Sequence, residues 1–202
     1  MAMNTLEVFN RALFLLINGT PATPGWLIGT AMLIASYVIW SIPLLLAGMW
    51  LWGNERQRNL ALRGCIVAML GVGANQLIGI VWQHPRPFMI GLGHTFLPHA
   101  PDSSFPSDHA TVFACVALTL LAGRARCLGG LTLLAGVLVA WARVFVGVHF
   151  PLDMFGAVVV AGVAFGLVIP LWYLAGSAVT RWTIMLYRNL LSRPIALGWF
   201  RR

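Results

Sequence analysis

The chain has 202 residues, of which 59% are hydrophobic and only 9% are charged, whereas a soluble domain normally carries about 25% charged residues. A soluble core could not bury so much apolar surface, so the composition excludes an ordinary soluble protein and predicts one all-α integral membrane domain. The formal net charge is +8, but the arginines lie in short segments between apolar runs, which argues against a nucleic-acid partner.

The apolar pattern predicts a helix bundle with five to six transmembrane helices. Residues 3–18 are amphipathic and short, so we interpret the stretch 1–20 as interfacial, with a tilted sixth span as the alternative. Residues 178–202 repeat this pattern and are also assigned to the interface. Five runs approach or exceed the roughly 20 residues that cross a bilayer core. They lie at 26–52, 62–83, 109–123, 128–148 and 155–176.

The arginines predict how the chain lies in the membrane. Most of them fall in three segments that five spans place on one face, and the positive-inside rule assigns that face to the cytoplasm. The connections 84–108 and 149–154 then lie together on the opposite face. Arg86 and Arg143 border that opposite face, where topology does not explain them, so function is sought there. The three arginine-rich segments are 53–63, 124–127 and the C-terminal tail.

The residues at the opposite face suit phosphoryl transfer. His149 and Asp153 are four positions apart on a helix expected to start near Phe150, so they face the same side. The carboxylate can then hold the imidazole Nδ1–H and leave Nε2 as a nucleophile. Arg86 and Arg143 supply forked, permanently charged groups that fit phosphate oxygens.

A second polar stretch, FPSDHATVF at 105–113, stands at the start of the third apolar run. Ser107 and the N–H groups of a helix N-terminus suit an anion such as phosphate, although Ser107 and Asp108 also suit a plain N-cap. His109 is suited to protonate a leaving oxygen. This chemistry needs neither a metal ion nor another cofactor.

These residues resemble the three signatures of the type-2 phosphatidic acid phosphatase superfamily: Lys-x6-Arg-Pro, Pro-Ser-Gly-His and Ser-Arg-x5-His-x3-Asp. The match extends over 79–153, and three positions depart from the signatures. HPRPF followed by FPSDH most resembles the bacitracin-resistance type of undecaprenyl diphosphatase. The departures are Gly79 for lysine, Asp108 for glycine and Ala142 for serine.

The resemblance implies metal-independent hydrolysis of a polyprenyl diphosphate lipid, undecaprenyl diphosphate, to undecaprenyl phosphate and inorganic phosphate. His149 would form a phosphohistidine, Asp153 would orient it, and His109 would act first as acid and then as base. It also implies a bacterial inner-membrane enzyme with its site facing the periplasm or cell exterior, acting in cell-wall carrier recycling and bacitracin resistance. Apart from membrane lipids no obligate partner is expected. The implied substrate-binding residues are Arg86, Ser107, Asp108 and Arg143.

Several other functions remain open from the sequence. Phosphatases of phosphatidic acid or phosphatidylglycerophosphate, and lipid A phosphotransferases, would use the same residues. A metal-dependent membrane hydrolase is a further hypothesis, although the chain lacks an HExxH-type spacing. A non-catalytic lipid-binding or transport protein is disfavoured because the charges cluster at one face instead of crossing the bilayer. The ligands of the metal hypothesis would be His84, His94, His99, His109 and Asp108.

Polar residues outside the signatures are interpreted as structural. We expect His94 and His99 to be solvated loop residues and Asp102 to be a loop or cap residue. His84 neighbours Arg86 and is left undecided. The second apolar run also contains Asn75 and Gln76, which we expect to bond a neighbouring helix and not to replace the contact of the missing lysine.

Overall fold

The computed structural model describes residues 5–201, which form a bundle of α-helices with no β-strand in that range. The all-α class is therefore as predicted. The helices in chain order are α1 (Thr5–Ile17), α2 (Gly25–Tyr37), α3 (Ser41–Leu51), α4 (Glu55–Val81), α5 (Asp108–Ala122), α6 (Arg126–Phe145), α7 (Pro151–Leu190) and α8 (Ser192–Ala196).

Each of the five predicted apolar runs is helical over most of its length. One of these helices, α5, is shorter than the thickness of a bilayer core. The helix α5 has only 15 residues, about 22 Å at 1.5 Å per residue, against a bilayer core of about 30 Å. Its Val116 and Leu120 are fully buried in a core cluster with Val67 of α4 and Val139 of α6, so α5 packs mainly against protein. Within residues 5–201, four segments are long and apolar enough to cross a membrane: Gly25–Leu51, Glu55–Val81, Arg126–Phe145 and Pro151–Leu190.

The first span is broken where the sequence places a proline. A 3₁₀ turn at Val38–Trp40 separates α2 from α3. Pro43 has no N–H for the carbonyl of Ile39, and its ring would clash with that carbonyl in a continuous helix. The proline therefore explains why the chain tightens just before α3 begins.

The end of α7 differs from the predicted end of the fifth run at 176. The helix continues through Pro170 to Leu190, giving 40 residues, or about 60 Å, roughly twice the thickness of a bilayer core. Asn59 of α4 holds this extension, donating to Thr180 Oγ1 over 2.8 Å and accepting from Trp172 Nε1 over 3.2 Å. Contacts with α4 thus stabilise the part of α7 that continues past the apolar run.

The N-terminal helix α1 packs across the end of the bundle that holds the connections 84–107 and 146–150. Its 13 residues are too few to cross a bilayer core. Phe14 is fully buried and meets Phe150 edge to face with ring centroids 5.4 Å apart. The Leu152 N–H donates to Asn10 Oδ1 over 3.1 Å, so α1 is tied to the first turn of α7.

Candidate active site

The histidine–aspartate pair forms at the start of α7, as its spacing predicts. Pro151 is the first helical residue and Phe150 the N-cap, so the missing N–H of proline costs no helical bond. Asp153 Oδ2 lies 3.1 Å from His149 Nδ1, accepts the Phe150 N–H over 2.8 Å and accepts from Ser104 Oγ. These contacts place the proton on Nδ1 and leave His149 Nε2 unprotonated.

A glycine sets the turn between Arg143 and His149. Gly147 has φ +85°, in the left-handed region that glycine adopts without strain. An added Cβ would clash with the His94 carbonyl oxygen. The turn is closed by a 3.2 Å bond from the Val148 N–H to the Arg143 carbonyl. It brings both side chains to one side of the connection.

Two buried arginines converge on the nucleophile position. Arg86 Nη1 lies 3.1 Å from His149 Nε2, and Arg143 Nη2 lies 3.4 Å from the same atom. Both arginines are about 5% exposed or less, and His149 is 2% exposed. Arg143 Nη1 also lies 3.5 Å from His109 Nε2, at the start of α5. The predicted histidines and arginines are therefore brought together.

The surroundings keep His149 neutral. Burial lowers the pKa of His149 well below its ordinary value of about 6.5, and the positive charges of Arg143 and Arg86 lower it further. A neutral imidazole with its proton held at Nδ1 presents a lone pair at Nε2, as a nucleophile must.

A cavity of about 730 Å³ opens in front of this group. Its wall includes His149, His109, Arg86 and Arg143, and the last two turns of α4 form another side. The cavity therefore offers an anion two guanidinium groups and several imidazoles in one place. The α4 residues in the wall are Asn75, Gln76, Gly79 and Ile80.

Asp108 lies in the cavity wall but is held by amides. Asn75 Nδ2 donates to one carboxylate oxygen over 2.8 Å, and Gln76 Nε2 donates to the other over 3.0 Å. The prediction that these two polar residues of α4 bond a neighbouring helix is confirmed. Gly79, at the position of the family lysine, lines the cavity opposite Ser103.

Ser107 lies behind the cavity wall. It is fully buried and is the N-cap of α5, accepting from the Ala110 N–H over 3.5 Å. Its own N–H donates to the Asp153 carbonyl over 3.3 Å. The structure therefore gives Ser107 the capping role that was its alternative interpretation, and it is not among the residues lining the cavity.

The interpretation of His99 as a solvated loop residue is wrong, whereas Asp102 is a loop residue as expected but also bonds an arginine. His99 Nε2 lies 3.0 Å from Arg143 Nη2, and Asp102 Oδ1 accepts from Arg86 Nε over 2.8 Å. Both residues line the cavity. The sequence carried one signal for them, a histidine and an aspartate three residues apart, which can meet within one turn.

The remaining two histidines, His84 and His94, lie in different surroundings. His84 lines the cavity with Nε2 3.5 Å from Glu7 Oε2 of α1, whereas His94 is exposed outside it. Between residues 5 and 201 no group of three or more His, Cys, Asp or Glu side chains is placed to hold a metal ion. The ligand set of the metal hypothesis therefore does not assemble.

Comparison with known proteins places this arrangement in a class. The family model "PAP2 superfamily" matches residues 60–177, more than half of the chain, and the chain belongs to that superfamily. It is 37% identical to the "Putative undecaprenyl-diphosphatase YbjG" of Escherichia coli (strain K12) over 97% of this chain and 99% of that protein. It is 36% identical to "Undecaprenyl-diphosphatase BcrC" of Bacillus subtilis (strain 168) over 75% of this chain and 78% of that protein.

A solved structure shows the same fold. The crystal structure of a transmembrane PAP2-type phosphatidylglycerolphosphate phosphatase from Bacillus subtilis superposes with a TM-score of 0.61 at 21% identity, covering 84% of this chain and 87% of that one. The predicted superfamily and the predicted membrane helix bundle are both confirmed.

Proposed function

We propose that this membrane protein hydrolyses undecaprenyl diphosphate to undecaprenyl phosphate and inorganic phosphate. The observation that carries the proposal is the His149 imidazole, oriented by Asp153 and flanked by two buried arginines in one cavity. Both curated relatives named above are called undecaprenyl-diphosphatases and align over most of the chain, which supports the choice of lipid.

In the first step His149 Nε2 attacks the terminal phosphorus. The N–P bond forms while the bond from phosphorus to the bridging oxygen breaks, and the electron pair moves to the leaving lipid phosphate. His109, which takes up a proton from solvent when the negatively charged diphosphate binds, gives that oxygen a proton. Arg86 and Arg143 exchange their imidazole contacts for phosphoryl oxygens and stabilise the charge that spreads over them. Asp153 stabilises the charge on the phosphohistidine through Nδ1–H.

In the second step water attacks the phosphohistidine. His109, now neutral, takes a proton from the water as the new O–P bond forms and the N–P bond breaks. Inorganic phosphate leaves, and His149 regains its lone pair. The same two residues serve both steps, so the cycle returns to its starting protonation state.

We assign the site to the outer face of a bacterial inner membrane. The cytoplasmic face would carry the arginine-rich end of the bundle, in accord with the positive-inside rule. An outward-facing site would return carrier lipid to cell-wall synthesis. It would also remove the diphosphate lipid that bacitracin binds, giving resistance to the drug.

The test is phosphate release by the purified chain in detergent with EDTA, from undecaprenyl diphosphate and from phosphatidic acid and phosphatidylglycerophosphate. We expect the diphosphate to be the best substrate and His149→Ala to reduce kcat more than about a thousandfold. Quenching with alkaline detergent, using substrate labelled in the terminal phosphate, should give labelled protein that loses its label in acid and that His149→Ala does not form.

The matched control is His94→Ala, which changes an exposed histidine near the same end of the bundle and should leave activity unaltered. Activity that survives in His149→Ala would refute the phosphohistidine. Turnover confined to monophosphate lipids would retain the mechanism and refute the substrate.

A further inference from the structure

We propose that His99, backed by Asp102, forms a subsite for the second phosphoryl group of a diphosphate, the one next to the lipid, and so selects diphosphates over monophosphates. The proposal rests on the proposed function, because it concerns the same cavity. It assigns a ligand contact to a loop histidine that the three signatures do not include.

The position of His99 relative to the nucleophile carries the argument. Arg143 Nη2 lies between the two imidazoles, 3.0 Å from His99 Nε2 and 3.4 Å from His149 Nε2. The two rings are 6.4 Å apart between centroids. A phosphoryl group placed for attack by His149 bonds Arg143, and its neighbour, one bridging oxygen away, then comes within reach of His99.

Arg86, the other arginine near this position, is already largely engaged. Arg86 is bonded to the Val148 carbonyl over 2.8 Å, to the Ser103 carbonyl over 3.1 Å and to Asp102 over 2.8 Å. Because these partners occupy most of its N–H groups, Arg86 has few donors left once it binds the terminal phosphate. A second phosphoryl group carries further negative charge, and a buried charge needs its own hydrogen-bond donor.

His99 can become that donor. Its Nδ1 lies 3.1 Å from the Ala100 carbonyl and 3.7 Å from Asp102 Oδ1, so the proton of the neutral ring lies on Nδ1. Nε2 then accepts from Arg143 in the empty cavity. When a diphosphate draws Arg143 onto its oxygens, the added negative charge favours uptake of a proton from solvent at Nε2. The resulting imidazolium donates to phosphate at Nε2, with Asp102 as its counter-ion.

A lipid monophosphate would not use this subsite. It fills the position between His149 and the arginines and leaves His99 without a ligand contact. The loop histidine therefore adds affinity only for ligands that carry two linked phosphoryl groups, which makes it a specificity-determining residue.

The experiment measures binding and not turnover. Purified full-length chain in detergent with EDTA is titrated calorimetrically with methylenediphosphonate, whose P–C–P bridge is not hydrolysed, and separately with inorganic phosphate. The wild-type chain should bind methylenediphosphonate more tightly. His99→Gln should weaken the binding of methylenediphosphonate at least about tenfold, the size expected for one hydrogen bond to a charged group. It should change the affinity for phosphate less than about twofold.

The control is His94→Gln, from the same loop but outside the cavity, which should change neither affinity. Phosphate binding in the same sample reports whether His99→Gln has kept the fold of the site. Equal weakening of both ligands, no weakening of either, or a wild-type chain that binds methylenediphosphonate no better than phosphate would each overturn the subsite. Failure of the proposed function appears separately, as absence of lipid diphosphate turnover by the wild-type chain.

Discussion

At the arginine-rich end of the bundle Arg58 is 2% exposed, as deeply buried as Arg86 and Arg143 at the cavity end. Arg58 donates to the backbone carbonyls of Trp50 and Arg201, and its guanidinium lies 4.6 Å from the centre of the Tyr187 ring. At the cavity end the two arginines also bond backbone carbonyls, but in addition each of them reaches the ring nitrogens of histidines.

The difference lies in whether the partner can be exchanged. A backbone carbonyl cannot leave, so Arg58 is permanently satisfied and joins the C-terminal segment to the last turn of α3. An imidazole nitrogen at a cavity wall can give way to a phosphate oxygen. The nature of the partners, more than burial, therefore distinguishes a functional arginine from a structural one.

The strongest test of this comparison is Arg143→Gln. The substitution removes the charge that joins His99, His109 and His149 while keeping a polar side chain. We expect kcat/KM on a lipid diphosphate to fall at least about a hundredfold, the size typical of losing a preorganised charge contact. The unfolding midpoint should change little. Activity within tenfold of wild type would contradict the role assigned to Arg143.

Arg58→Gln should show the opposite behaviour. It leaves backbone carbonyls unpaired, which costs about 1–3 kcal/mol for a buried group, or about 2–4 °C of unfolding midpoint per kcal/mol for a chain of this size. Thermal unfolding in detergent should detect this loss. Turnover per folded molecule should remain within about twofold of wild type. If Arg58→Gln instead lost turnover and kept its stability, Arg58 would not be a purely structural arginine, and the contrast with Arg143 would fail.

The membrane spans could be predicted from the sequence, whereas the extension of α7 could not. Apolar runs and Pro43 locate the spans and the break in the first one, because hydropathy and the missing N–H are local properties. The extension of α7 past 176 was not predictable in this way. It depends on Asn59, which meets Thr180 and Trp172 from another helix. A contact across 121 residues leaves no local pattern.

The candidate site likewise combines residues set by a local spacing with residues placed by distant contacts. The pairing of His149 with Asp153 follows from a fixed spacing on one helical turn. His99 reaches the cavity from a loop whose path depends on Asn18, which donates to the His94 carbonyl over 2.9 Å and accepts the His94 N–H over 2.7 Å. Asn18 belongs to a segment 76 residues earlier. The signatures therefore predicted the nucleophile and its arginines, but not the loop residues beside them.

The smallest expected effect is a pH dependence of stability confined to the cavity end. Burial, followed by Arg143 and Arg86, lowers the pKa of His149 well below its ordinary value, so below about pH 6.5 the unfolded chain binds a proton that the folded chain does not. The contribution of His149 to the free energy of unfolding is therefore at its full value above about pH 6.5, and it decreases as the pH falls below that value.

The loss reaches about 1.4 kcal/mol one pH unit below that value. Comparing unfolding midpoints at pH 7.5 and 5.5, we expect His149→Gln to lose less stability than wild type. Arg58→Gln should lose as much as wild type, because its change lies at the other end of the bundle. An equal loss in all three proteins would mean that His149 is not held neutral, and its assignment as a neutral nucleophile would fail with it.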